Sequence, residues 1–146
     1  MARTVDSAKR VMSGTYGELW CDGEKIAEVS EFQAKVTKNK ETVIFCGQIM
    51  EDAKMISAKG AGSMTIFHVD SGFLEKEKDV KKGVDRRYTL VSKLADPDSW
   101  GAERVSVSNV SLDDLTLADW AAARLGSITK PFTFSDYDLL DLVEVR

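Results

Sequence analysis

The alternation of apolar and polar residues first becomes regular in "ELWCDGEKIAEVSEFQAKVTKN", Glu18 to Asn39. Asp22-Gly23 suits a two-residue type I′ turn, because both central positions need positive φ and these residues tolerate it. Such a turn pairs Leu19 with Ile26 and Tyr16 with Val29, both apolar pairs. Beyond it, no proline, glycine or helical period interrupts the chain up to Asn39. Read as one strand, Lys25 to Asn39 spans roughly 50 Å at about 3.3 Å per residue. A compact chain of this length has a radius of gyration of about 15 Å, so the pattern predicts a strand that overhangs its own core. Apolar positions run Ala27 and Val29, then Phe32, Ala34 and Val36. The parity changes near Ser30-Glu31, where a bulge or sharp bend restores the face. A second tight turn at Asn39-Lys40 pairs Val36 with Val43 and Ala34 with Phe45. It leaves Gln33, Lys35, Thr37 and Thr42 on a common polar face, with Ile44 out of pattern.

Residues 47 to 62, "GQIMEDAKMISAKGAG", carry no strong strand pattern and read as a semi-apolar loop, of a length that is uncommon unless functional or ordered by a partner. "SMTIFHV", Ser63 to Val69, is apolar on both parities and predicts a strand covered on both sides. A helix follows over about Gly72 to Lys82, capped by Asp70 or Ser71 and ended by Gly83. Two strands, "RRYTLVSKLA" and "ERVSVSNVSL", flank the turn "DPDSWG", where Pro97 suits the second turn position. Asp113 to Gly126 is ambiguous between a short strand and a helical turn or two. "ITKPFTFSDYDLL" alternates again, with Phe132 and Phe134 on one face, and Pro131 restricts its start to a sheet edge or first ladder position. The fold class is mainly β: a β-barrel or sandwich of two packed antiparallel sheets with one α-helix. Residues 1–15 are polar and without period, an arm that needs a partner to become ordered, and 16–146 form a single domain.

Composition narrows the function classes. The chain of 146 residues is 43% hydrophobic and 30% charged, ordinary for a globular domain and unlike a disordered one. A net charge of −4 offers no broad basic surface for nucleic acid, although "KVTKNK" is locally basic. No apolar run suggests secretion or a membrane span. Cys21 and Cys46 are too few for a disulfide framework and lack metal spacing, so both are read as reduced thiols.

The candidate chemistry is thin. His68 lies mid-strand among apolar neighbours, as a structural imidazole with a satisfied hydrogen bond. "GAG" at 60 to 62 lacks the residues of a phosphate loop and reads as a flexible strand entry. Asp136 and Asp138 share a strand face, but a calcium site takes about 6 to 8 oxygens, so they form a solvated or interface-paired acidic edge. Asp113 and Asp114 point to opposite faces. Met50, Met55 and Met64 follow no helical stripe, and Trp20, Trp100 and Trp120 each lie near a turn or element end. No catalytic constellation emerges, and the expectation is a protein that is not an enzyme, with no cofactor and no metal.

An arm without a core, long hairpin strands, a semi-apolar loop and a C-terminal edge strand all need something outside the monomer, which points to self-assembly. The order and spacing of "SGTYGELWCDGEKIAEVSEFQAKVTKNKETV", "GQIMEDAKMISAKGAGSMTIFHVDSGF", "ERVSVSNVSLDDLTL" and "KPFTFSDYDLLD" resemble the tail tube proteins of contractile-tailed bacteriophages. The likeness is greatest to those of prophages and phage-tail-like bacteriocin particles of Gram-positive bacteria; "AAARLGS" matches least well. The resemblance implies a fold similar to the type VI secretion tube protein. It implies hexameric rings stacked into a hollow tube inside a contractile sheath, driven through a target envelope on contraction. Implied partners are further copies of the chain, a sheath protein, a baseplate or tube initiator and a tail terminator, with DNA in the lumen only in a true phage and no membrane anchoring. The implied location is the virion or tail-like particle, after synthesis in the host cytoplasm. On this reading Gln33, Lys35, Thr37 and Thr42 face the lumen. Residues 47 to 60, with Ile49, Met50, Met55 and Ile56, join the arm in ring-to-ring contacts. Two rivals stand beside it: a monomeric β-barrel binding a small apolar ligand between Trp20, Phe45, Phe67 and Phe132, and a hydrolase-like enzyme using His68 and an aspartate.

Overall fold

The structure, a computed structural model, describes residues 4–144, so the first three residues of the arm and the last two of the chain lie outside it. Strand β1 (Gly17–Cys21) turns through Asp22 (φ 51°) and Gly23 (φ 85°) into β2 (Glu24–Lys25), the left-handed pair that an Asp-Gly hairpin needs. The amide of Ile26 donates to the Leu19 carbonyl at 2.8 Å, extending the expected pairing by one step. There the hairpin ends. Ile26 is buried, and the chain crosses at Ala27-Glu28 into a second sheet, where Val29 lies opposite Ile66. Tyr16 belongs to a 3₁₀ turn (Gly14–Tyr16). The expected Tyr16–Val29 pair is therefore not made, because Ile26 must reach the core from one layer while Val29 belongs to the other.

Strand β3 (Val29–Val43, 15 residues) and strand β4 (Asp52–Phe67, 16 residues) form one long antiparallel ribbon. A bulge between Val29 and Glu31 resets the parity at Ser30, where the sequence requires it, and the Ser30 hydroxyl donates to the Thr65 carbonyl at 3.2 Å. Asn39-Lys40 is a second bulge and not a turn: Asn39 faces Ser57, Lys40 faces Met55, and Ile56 is the extra residue. The Asn39 side chain is spent on the Ser57 hydroxyl at 3.0 Å, across the ladder. Reversal comes at residues 44–51, with Gly47 at φ 84°. Val36 thus pairs with Gly60 and Ala34 with Gly62, in place of Val43 and Phe45. Most of the segment expected to be a loop is strand.

Strand β4 also pairs with β7 (Ser127–Phe134), from Gly60 opposite Phe134 to Phe67 opposite Ser127. In the other layer β1 pairs with β5 (Tyr88–Leu94), β5 with β6 (Glu103–Leu112), and β6 with β8 (Asp136–Asp141). The layers join where the last two residues of β6 pair with Phe132 and Thr133 of β7. At that corner Asn109 takes φ 56°, and its side-chain Nδ2 donates to the Ser135 hydroxyl at 2.7 Å as the chain passes from β7 to β8. Pro131 sits inside a central strand. Its carbonyl accepts from Asp113, one residue beyond β6, and N and O of one residue point the same way, so its missing N–H falls where that ladder stops.

The core lies between the layers and includes Leu19, Cys21, Met64, Ile66, Tyr88, Leu90, Val107, Val110, Phe132 and Phe134. Phe132, 0% exposed, stacks on Phe32 with centroids 5.8 Å apart. "GAG" has a packing role and is no flexible entry. A Cβ at Gly60 would sit 2.5 Å from the Phe134 ring, and one at Gly62 would strike the Gln33 carbonyl and lie 2.8 Å from Phe132. Met64 and Ile66 are buried, whereas Phe67 is exposed, so this strand is covered on one side only.

The expected helix is shorter and broken. Helix α1 (Gly72–Lys76) starts with Asp70 accepting from the Gly72 amide at 3.0 Å, and a 3₁₀ turn (Val80–Lys82) ends at Gly83, φ 81°. Between them Glu77 turns inward to accept the Tyr88 hydroxyl at 2.6 Å. Residues 113–126 form neither strand nor helix.

Candidate assembly surfaces

Core and overhang divide the β3–β4 ribbon. Phe32 and Ala34 pack on the core, and beyond them residues 35–59 are all exposed except Val43. Alternation gives the ribbon two unlike faces. One carries Glu31, Gln33, Lys35, Thr37 and Asn39, opposite Thr65, Ser63, Ala61, Lys59 and Ser57. It continues across β7 through Thr129, Pro131 and Thr133, with the Thr65 and Thr129 hydroxyls 3.2 Å apart. The result is a broad face of small and polar side chains. The other face carries Val36, Lys38, Lys40 and Thr42 with Gly60, Ala58, Met55 and Ala53. Thr42 therefore stands apart from Gln33, Lys35 and Thr37, because the strand runs straight through the site of the expected turn.

The tip presents large apolar side chains to solvent. Ile49 is 102% exposed and Met50 81%, with Ile44, Phe45, Met55 and Ile56 also exposed. At the opposite end of the chain β8 leaves Tyr137, Leu139 and Leu140 exposed, and the irregular segment adds Leu117, Trp120 and Leu125. The arm finds a partner within its own chain. Arg10 pairs with Asp6 at 3.0 Å, donates to the Asp98 carbonyl at 3.2 Å and lies 5.7 Å from the Trp100 ring centroid, while the Ser13 amide donates to Asp96 at 2.9 Å.

Three of the perturbed titrating groups are in the packing. Burial pushes the Cys21 thiol up to about 11, which makes it inert as a nucleophile at neutral pH. Burial and then the Glu77 hydrogen bond raise the Tyr88 hydroxyl beyond its ordinary range. Lys130 is 4% exposed, its Nζ 4.9 Å from the Phe73 centroid, and burial lowers its pKa against the pull of Asp114 and Glu77.

His68 is not mid-strand: it follows the end of β4, its amide bonded to Gly126 and its side chain exposed. The crevice beside it is about 20 Å³, room for about one water. That is no substrate cleft. The four aromatics of the ligand-binding alternative do not converge either. Phe132 is in the core, Phe45 and Phe67 are exposed, and a cleft of about 530 Å³ between Leu19, Phe32 and Leu94 is lined by none of the four. Among the described residues no group of acidic, histidine and cysteine side chains could hold a metal ion. No described helix is long and apolar enough to cross a membrane.

Solved structures share this architecture. A chain of the sheath–tube complex of an extracellular contractile injection system, PVC, in its extended state superposes with TM-score 0.71 at 9% identity, over 96% of this chain and 100% of that one. A chain of the anti-feeding prophage (AFP) baseplate gives TM-score 0.64 at 12% identity, over 85% and 90%. Identities this low speak for the fold alone. Sequence carries the relationship further: Phage-like element PBSX protein XkdM of Bacillus subtilis (strain 168) is 38% identical over 136 residues, 90% of this chain and 92% of that protein. With residues 5–141 matching the family model described as phage tail tube protein, the two-faced ribbon and its sandwich have a lineage, and this chain belongs to the phage tail tube protein family.

Proposed function

We propose that the chain forms the inner tube of a contractile tail or tail-like particle by closing into hexameric rings that stack head to tail. The carrying observation is the overhanging ribbon with one polar, small-residue face and one half-apolar face. Such a ribbon has no place in a monomer, where two strands without a covering layer are marginal in water. Gln33, Lys35 and Thr37, with Ser57, Lys59, Ala61 and Ser63, line the lumen. The apolar tip, with Ile49, Met50, Met55 and Ile56, meets the next ring together with the arm. A heterologous contact that closes makes a ring, and one that does not close makes a filament. A sheath protein on the outside, an initiator at the baseplate and a terminator at the far end complete the particle, a reading supported by the sheath–tube complex and the baseplate in which the structural neighbours are found. The role is mechanical and makes or breaks no covalent bond.

Negative-stain electron microscopy across a concentration series, with the chain alone and co-expressed with its sheath protein, tests this. Hollow tubes or six-fold rings are the expected result. Monodisperse particles under every condition contradict it.

A further inference from the structure

The polar face of the β3–β4 ribbon carries its charge in bands. Lys35 lies opposite Ala61 and Lys59 opposite Thr37, so the two lysines stand in neighbouring rows of the ladder, diagonal to one another. Both are exposed, and neither joins an ion pair among the described residues. Diagonal neighbours come within roughly 7–8 Å, and like charges that close repel. No carboxylate of the same rows offsets that cost.

The acids of this face stand apart from the lysines. Alternation puts Glu31 at one end and Glu41 with Asp52 at the other, where Glu41 lies directly opposite Lys54. Glu31 is four residues from Lys35, and Glu41 is four residues from Thr37, the partner of Lys59. Four residues of strand span about 13 Å, beyond the Debye length of about 8 Å at physiological salt. The rows between hold Gln33 with Ser63 and Asn39 with Ser57, and β7 adds Thr129, Pro131 and Thr133, all uncharged. The charges of the whole face balance, but the lysine band is locally uncompensated.

We infer that Lys35 and Lys59 form a phosphate-binding band on the lumen wall, and that its occupant is double-stranded DNA. The inference rests on the ring-forming reading above, which turns one lysine pair per copy into a belt facing inward from every side. A duplex presents one negative charge per about 1.7 Å of its axis, and lysine, a point charge on a flexible stem, meets phosphates in any register. Gln33, Thr37, Asn39, Ser57, Ala61 and Ser63 around the band include no aromatic ring, so the unstacked bases of a single strand find no platform there. Contacts to the backbone alone position a duplex without reading its sequence.

Tubes of the full chain, incubated with a short fluorescein-labelled DNA duplex and sedimented, test this. The parent tubes should retain the duplex and lose at least about tenfold in affinity as salt rises from about 50 to about 200 mM, the fall that two phosphate contacts alone produce. Lys35→Gln/Lys59→Gln should weaken retention by about tenfold or more at low salt, whereas Lys35→Arg/Lys59→Arg should keep it. Lys38→Gln/Lys40→Gln, on the other face of the ribbon, should leave it unchanged. Electron micrographs check that each variant still forms tubes; if the neutral pair does not, the salt titration of the parent decides. Parent tubes that retain no duplex, retention indifferent to salt or to Lys35 and Lys59, or a single strand held more tightly than the duplex, overturns the assignment and leaves the tube reading standing. Absence of rings and tubes in the parent chain under every condition overturns both.

Discussion

Gly62 fills a position that no other residue can occupy without rearrangement. Its missing Cβ is replaced by the Gln33 carbonyl on one side and the Phe132 ring on the other. Gly62→Ala must therefore push the two strands or the ring apart, at a cost of about 1–3 kcal/mol, read as a lower midpoint in urea unfolding. Cys21 gives a pH signature. Its folded pKa of about 11 lies above the ordinary thiol value of 9.0, so the unfolded chain loses this proton first. The associated stability is complete below pH 9 and is lost through the window from 9.0 to about 11, a loss of about 2–3 kcal/mol in all. Denaturant unfolding should show a fall from pH 8 to 10 in the parent that is absent in Cys21→Ala, whatever that cavity does to the absolute stability, while the raised Tyr88 hydroxyl adds a fall above pH 10 in both.

At the scale of elements, the sequence is legible where one chain satisfies its own pattern. Asp22-Gly23 makes the predicted turn, Ser30 carries the predicted bulge, and Phe132 and Phe134 face the core as their alternation requires. Strand β4 is hidden in the sequence because its first half, "DAKMISAK", is exposed and pairs with β3 alone, and the glycines after it make room for rings from β7. The Asn39-Lys40 pair looks like a turn because its local chemistry suits one, yet the ladder on either side holds the strand straight. The helix stops at Glu77 because that carboxylate is taken by Tyr88, a contact invisible to periodicity. The polar face was partly legible: Gln33, Lys35 and Thr37 stay together, and Thr42 fails with the misplaced turn. Hydrogen exchange should separate the two halves of the ribbon. In the isolated subunit, amides of residues 36–58 should exchange far faster than those of 60–67, and the difference should vanish on assembly. Thr37→Glu, on the exposed polar face, should change stability by no more than about 0.5 kcal/mol in thermal unfolding of the subunit.

At the scale of the whole molecule, the small core and the wide apolar periphery belong to one design. Ile49 and Met50 project from the tip into solvent, at 102% and 81% exposure. Replacing both with aspartate should leave ring formation intact and abolish stacking, so that electron micrographs show separate rings in place of tubes. Tubes of unchanged length would place the ring-to-ring contact elsewhere. The 15-residue ribbon has a further consequence in mechanical terms. Anchored at one end, it is a diving board, and its thermal bending is limited only by two strands. In the proposed ring, fixed along both sides by neighbours, the same ribbon becomes part of a shell whose bending rigidity belongs to no subunit. Rigidity then arrives in a single step, when the last gap in the circle closes.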